Sequence, residues 1–233
     1  DWEVSPNGRT YPFHLREDVR FQDGRPVSAQ DFKYSLERAC DSATGSTTAS
    51  LYLGDIVGAK DKLEGRAEEI RGGKVVDDHT LAITIDAPKA YFLAKLTYPT
   101  AFVVDRANVE KGEGWSQEPN GTGPLRLAER TEERIFLARN DLYYQGPVAL
   151  EGAEFILAGS FMNMYERGKL DLVGVGPADI ERAREPQGPF HGELVVVPTL
   201  DTTYVGFNVN QPPFDDPLVR QAFAYATNKK ALV

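Results

Sequence analysis

Cysteine is almost absent from this chain of 233 residues, which has a single thiol at Cys40. One thiol excludes an internal disulfide, a cysteine-based zinc site and an iron–sulfur cluster. Histidine is scarce as well, because His14, His79 and His191 lie far apart and none has the spacing of a metal-ligand cluster. No apolar run approaches the roughly 18–20 residues of a membrane-spanning helix.

Positive charge is in the minority. The chain has 26 Lys and Arg against 35 Asp and Glu, which gives a formal net charge of −9. Binding to nucleic acid needs clustered Lys and Arg on the protein surface, so this balance argues against a nucleic-acid partner. The acidic excess favours solubility and identifies no partner by itself.

Motifs for phosphate binding and nucleophilic catalysis are missing from the sequence. There is no Gly-x-x-x-x-Gly-Lys loop and no Gly-x-Ser-x-Gly elbow. Two glycine pairs, Gly121-Thr-Gly123 and Gly174-Val-Gly176, are each followed by proline where a phosphate-binding helix would begin. They are read either as tight turns or as places where the main chain approaches a ligand closely. We therefore predict no catalytic residue, no cofactor and no metal.

Alternating and helical patterns predict a mixed α/β protein. Residues 10–22 alternate as two strands, and Ser28 with Asp31 forms a capping box that begins a helix. Hairpins are predicted at 75–85 and 124–138, and further strands at 101–104 and 153–157. Beyond them, strands at 170–173 and 193–197 alternate with helices at 161–168 and 177–184, as in an α/β layer.

The final stretch predicts a strand followed by a helix. β-branched and aromatic residues recur from Thr202 to Val209, and the strand must end by Gln211 because two prolines follow. Asp216 is a good N-cap and Pro217 a good first helical residue. A second helix is expected after Asn228.

The sequence resembles a known family at many points in the same order. The longest match runs from Tyr11 to Arg38, YPFHLREDVRFQDGRPVSAQDFKYSLER, and is similar to the signature stretch of the bacterial extracellular solute-binding proteins of family 5, the oligopeptide- and dipeptide-binding receptors of ABC importers. Further similar segments are 77–81, 90–92, 120–124, 139–140, 168–171, 207–210 and 212–216. Together they span essentially the whole chain.

The resemblance implies a fold and a domain organisation. It implies a class II periplasmic-binding-protein-like fragment, with mixed sheets flanked by helices and an extra small α+β domain. By that analogy, residues 1–105 are the small extra domain of the first lobe and residues 106–199 belong to the first lobe. Residues 200–233 are the crossing strand and first helices of a truncated second lobe. We expect further segments of the receptor on both sides of this chain.

The resemblance also implies a function without catalysis. The receptor closes its cleft on a peptide or another small solute and delivers it to an ABC permease, in the periplasm or outside the cell. Membrane attachment would come only through an anchor outside this chain, and unpaired strand edges invite dimerisation. The residues that align with family ligand contacts, or lie beside them, are Tyr98, Gly174, Val175, Thr199, Leu200, Asp201, Thr202 and Tyr204.

Two alternatives stay open at this point. The same fold can serve as a ligand-sensing domain fused to a transcriptional regulator, which an upstream DNA-binding segment would reveal. The chain could also be a hydrolase with an unrecognised carboxylate site, which turnover abolished by a single Asp or Glu substitution would reveal.

Overall fold

The computed structural model describes residues 1–200 and 204–228. Within it the chain forms two compact units, Asp1–Met164 and Tyr165–Val233. Helices and strands both contribute, so the predicted mixed α/β class is confirmed. The predicted domain limits at residues 105 and 199 concern a longer receptor and stay a prediction.

Two three-stranded antiparallel sheets organise the first unit. The strands of the first sheet, in spatial order β1-β3-β2, are β1 (Thr10–His14), β3 (Thr80–Thr84) and β2 (Gly73–Asp77). Those of the second sheet, in order β4-β5-β6, are β4 (Leu125–Arg130), β5 (Arg134–Arg139) and β6 (Gly152–Ile156). Both predicted hairpins are therefore confirmed.

Short helices accompany these strands. The helices of the first unit are α1 (Ala29–Ala39), α2 (Ala49–Leu53), α3 (Ala59–Leu63), α4 (Phe92–Lys95) and α5 (Arg106–Val109). Helix α6 (Phe161–Glu166) leads into the second unit, which contains α7 (Ile180–Arg184) and α8 (Pro217–Ala226). As predicted, the Asp216 side chain caps α8 by accepting a hydrogen bond from the Leu218 amide at 2.8 Å.

One apolar core holds the first sheet against the helices. In the sheet, Tyr11 pairs with Ile83 and Phe13 with Leu81, which places alternate side chains on the covered face. The fully or nearly fully buried members of the core include Leu36, Leu53, Ile56, Ile70, Leu81, Ile83, Ile85 and Phe92. Each buried aliphatic or aromatic side chain contributes about 1.5–3 kcal/mol of hydrophobic stabilisation.

Several predicted strands are wrong. Residues 101–104, 170–173, 193–197 and 204–209 are not strands in the structure, and residues 19–21 contribute only an isolated bridge between Arg20 and Pro26. β-branched and aromatic composition suits a sheet, but a strand also needs a neighbour for its backbone groups. Among the described residues these segments have no ladder partner. The helix predicted after Asn228 lies outside the described residues.

Candidate functional site

The turn before α1 is built around a buried aromatic ring. Phe21 is fully buried, and the Arg25 guanidinium lies 4.4 Å from the centre of its ring. Between them Gly24 has φ = +93°, a left-handed conformation that glycine adopts without strain. Residues 21–25, which are part of the family signature, therefore form a turn that places the Arg25 guanidinium over the Phe21 ring.

Arg25 then connects two buried carboxylates. Its guanidinium donates to both oxygens of Asp31, at 3.0 and 3.2 Å, and to Asp105 at 2.8 Å. Asp31 also accepts from the Ser28 amide at 2.8 Å, which completes the predicted capping box of α1. Burial alone would raise the pKa of Asp105, but hydrogen bonds from Asn120 and Arg25 outweigh it and lower that pKa.

The Asn120–Pro124 segment docks onto the same turn. The Asn120 amide donates to Asp105 at 2.8 Å, and its oxygen accepts from the Asp23 amide at 3.2 Å. The Gly121 carbonyl accepts from the Gln22 amide at 2.9 Å. The first glycine pair is thus engaged in contacts inside the protein, and neither Gly121 nor Gly123 has a positive φ.

Asn140 makes a further contact with the Asn120–Pro124 segment, which the sequence did not predict. Its side chain is buried, donates to the Gly123 carbonyl at 2.7 Å and accepts from the Leu142 amide at 3.1 Å. Several segments that carry the family resemblance therefore contact one another inside the first unit. The signal available in the sequence was the side-chain type, since Asn commonly bonds to nearby backbone in turns.

Tyr98 also belongs to the first unit, but it lies away from the turn around Arg25. Its ring stacks on that of Tyr52, with centroids 3.7 Å apart and planes only 4° from parallel. Tyr98 is 39% exposed, whereas Tyr52 is half-buried. Burial and the neighbouring Tyr98 together raise the pKa of Tyr52. The two rings together form a flat aromatic surface, which we call the tyrosine stack.

The other predicted site residues lie in the second unit or outside the described residues. Gly174 is exposed and Val175 is half-buried, and a Cβ added to Gly174 would meet no atom within 4 Å. Thr199 and Leu200 are exposed, and Tyr204 is 82% exposed. Asp201 and Thr202 lie outside the described residues. No predicted site residue therefore packs against Gly174 within the described part of this unit.

A cavity of about 480 Å³ in the second unit contains none of the predicted residues. It is lined by the aromatic rings of Tyr165 and Phe190 and by three carboxylates, Glu166, Asp171 and Glu193. The Tyr165 hydroxyl donates to Glu193 at 2.6 Å, which raises the pKa of Tyr165. Asp171 belongs to the Gly168–Asp171 motif, so the cavity borders a segment of the resemblance.

A metal-binding cluster and a membrane-spanning helix are both absent from residues 1–200 and 204–228. No group of three His, Cys, Asp or Glu side chains there is arranged to hold a metal ion. Within the same residues, none of the helices combines the length and apolar character that crossing a bilayer requires.

Comparison with known proteins identifies the family of this chain. The family model "Bacterial extracellular solute-binding proteins, family 5 Middle" matches residues 1–233. The periplasmic oligopeptide-binding protein OppA of Escherichia coli is 33% identical over 100% of this chain and 44% of its own length. The probable deoxycholate-binding periplasmic protein YgiS of the same organism is 34% identical over 100% of this chain and 44% of its own length.

A solved structure agrees with these relatives. The crystal structure of Haemophilus influenzae OppA in complex with the peptide RPPGFSPFR superposes with a TM-score of 0.84 at 29% identity. It covers 95% of this chain, which in turn covers 45% of that protein. This chain therefore spans slightly less than half the length of the relatives it matches. With the family model matching from the first residue to the last, the chain belongs to the bacterial extracellular solute-binding proteins, family 5.

Proposed function

We propose that this chain is part of a non-catalytic receptor that binds a peptide or another small solute and delivers it to an ABC import permease. The observation that carries the proposal is the family match over all 233 residues. The likeness to a peptide complex, with a TM-score of 0.84, adds support for a peptide-type solute.

The solute contacts proposed are those predicted from the resemblance. Tyr98 supplies a side-chain surface, and its 39% exposure inside an ordered aromatic stack leaves the ring accessible. Gly174, Val175, Thr199, Leu200, Asp201, Thr202 and Tyr204 form the second group. The exposure of the described members of that group is compatible with main-chain hydrogen bonding to an extended solute.

Binding in this proposal depends on closure of a cleft to which this chain contributes one part. Closure buries the solute and adds contacts between the lobes. The receptor works in the periplasm or outside the cell, attached to the surface by an anchor outside this chain. It needs no cofactor, and the isolated chain dimerises through unpaired strand edges.

The decisive experiment is native mass spectrometry of the full-length receptor as purified, followed by calorimetry with the solute that is identified. We expect a co-purifying peptide that binds the full-length receptor at least a thousandfold more tightly than it binds residues 1–233 alone. The chain alone should bind no tighter than roughly millimolar, a level of about 4 kcal/mol.

Two results would count against the proposal, and a third would decide which kind of solute it concerns. A co-purifying steroid acid or another non-peptide solute would decide against a peptide as the solute. Turnover of the bound molecule, abolished by one carboxylate substitution, would indicate a hydrolase. Micromolar binding by residues 1–233 alone would show that closure on a second lobe is not required.

A further inference from the structure

Lys95 joins separate parts of the first unit at one point. Its ammonium donates to the Asp55 carboxylate and to the Leu51 carbonyl, at 2.7 Å in each case. It also lies 5.1 Å from the centre of the Tyr91 ring. Asp55 is buried and accepts a second hydrogen bond from Lys89 at 2.6 Å. The Lys95 side chain is therefore fixed by a charged partner that is itself held in place.

The tyrosine stack belongs to the same pair of segments. Residues 48–52 lie along residues 95–100, and three contacts join them: Thr48 to Thr100 through their hydroxyls at 2.6 Å, Leu51 to Lys95, and Tyr52 to Tyr98. Lys95 makes the one charged contact of these three. A change at Lys95 thus acts directly on the spacing of the segments that carry the two rings.

The geometry of the stack needs such support. Aromatic pairs prefer offset or edge-to-face arrangements with centroids about 4.5–7 Å apart, because nearly superposed ring faces repel one another. Tyr52 and Tyr98 are instead almost parallel with centroids at 3.7 Å. Ring–ring attraction alone does not select this arrangement, so the contacts on either side of it must hold the rings together.

We propose that Lys95 is a positioning residue for solute recognition. Anchored by Asp55, it holds Tyr52 against Tyr98, and the stack presents the Tyr98 ring as a rigid flat surface that favours solutes with a planar side chain, aromatic or guanidinium. This inference rests on the proposed function, because it takes Tyr98 to contact the solute.

Near-ultraviolet circular dichroism of the full-length receptor tests the positioning step. The difference between wild type and Tyr98→Leu defines the signal of the coupled tyrosines. We expect Lys95→Met to lose most of that signal, and Lys95→Arg to keep part of it because a cation still faces Asp55. The matched control is Lys74→Met, at an exposed position on β2, which should retain the wild-type spectrum. A wild-type spectrum in Lys95→Met would overturn the proposal.

Calorimetry with the tripeptides Ala-Trp-Ala and Ala-Ala-Ala tests the recognition step on the same variants. Wild type should prefer Ala-Trp-Ala, and Lys95→Met should reduce that preference by roughly 2- to 12-fold, the range expected for one lost stacking interaction. Affinity for Ala-Ala-Ala should stay unchanged. If Lys95 had only a structural role, Lys95→Met would weaken the binding of both peptides equally. That result would overturn the inference. If neither peptide binds wild type, the proposed peptide function fails, and the dichroism alone decides the role of Lys95.

Discussion

Arg25 is the side chain on which the interior of the signature region depends most. It neutralises Asp31 and Asp105, which are both buried, while its own side chain stays about one-third exposed at 38%. A buried carboxylate without a partner is costly, because the protein interior solvates charge poorly. Two carboxylates share this one cation, so its loss affects both.

Replacing Arg25 by Leu should therefore lower the free energy of unfolding by about 2–4 kcal/mol. That is slightly less than the roughly 3–5 kcal/mol seen when a fully buried pair is broken. Urea denaturation measures it. Arg16→Leu is the matched control, because Arg16 pairs with Asp18 on the surface and its loss should change stability far less than the loss of Arg25. We call the hydrogen bonds that join Arg25, Asp31, Asp105 and Asn120 the Arg25 network. Equal effects of the two substitutions on the free energy of unfolding would show that this network does not stabilise the fold.

The environment of Asp55 predicts that the free energy of unfolding depends on pH. Burial alone would raise the pKa of Asp55, but hydrogen bonds and charge from Lys89 and Lys95 outweigh it and lower that pKa below its ordinary value of 3.8. The folded state thus binds the proton less readily than the unfolded chain. The stabilisation is present above about pH 3.8 and is lost as the pH falls through the lowered pKa.

The variant Asp55→Asn should accordingly be about 1–3 kcal/mol less stable at neutral pH. The difference from wild type should shrink below pH 3.8. Denaturant titrations at a series of pH values measure both effects. Asp141→Asn, at an exposed position, serves as the control and should follow wild type throughout. A difference that grows on acidification would contradict the assignment.

At the scale of elements, helix-capping residues were the most reliable predictors of where a helix begins. Their side chains satisfy the free backbone N–H groups of the first turn locally. The start of α1 follows from Ser28 and Asp31, and the start of α8 follows from Asp216 and Pro217. These motifs need only residues close in sequence. The strands predicted at 193–197 and 204–209 failed because strand formation depends on a distant partner, which composition does not reveal.

Removing the cap of α1 should have a measurable effect. Ser28→Ala should cost about 1 kcal/mol in thermal or urea unfolding, because the hydrogen bond from the Ser28 hydroxyl to Asp31 is lost, whereas the Ser28 backbone amide still donates to Asp31. Ser50→Ala, at an exposed position inside α2, should be neutral or slightly stabilising, since Ala is the better helix former. If Ser28→Ala proved as neutral as Ser50→Ala, the Ser28 hydroxyl would contribute nothing to stability.

At the scale of the whole molecule, the sequence identified the family but could not locate all of its contacts. The resemblance motifs are visible as short strings, yet their mutual packing through Asp105, Asn120 and Asn140 depends on positions far apart in the chain. Tyr98 could be singled out as a solute contact only through the family resemblance. Its partner Tyr52 could not be predicted, because 46 positions separate the two rings along the chain.

Exposed apolar segments of the second unit predict self-association of this chain in isolation. Val195, Val196, Val197 and Val205 are all largely exposed. Such residues, together with open edges on β4 and β6, favour edge-to-edge pairing between chains. Light scattering of residues 1–233 should show a mass that rises with concentration. A constant monomer mass over the whole concentration range would refute the prediction of self-association.

The Arg25 network also determines which parts of such receptors can be exchanged. Positions 25, 31, 105 and 120 are joined by direct hydrogen bonds although they are spread over most of the first unit. A chimaera that replaces residues 20–31 with those of a relative must therefore import the matching residues at 105 and 120. Tyr98 takes no part in that network, so a substitution of the Tyr98 side chain alone can change solute preference while the hydrogen bonds of Arg25 are kept.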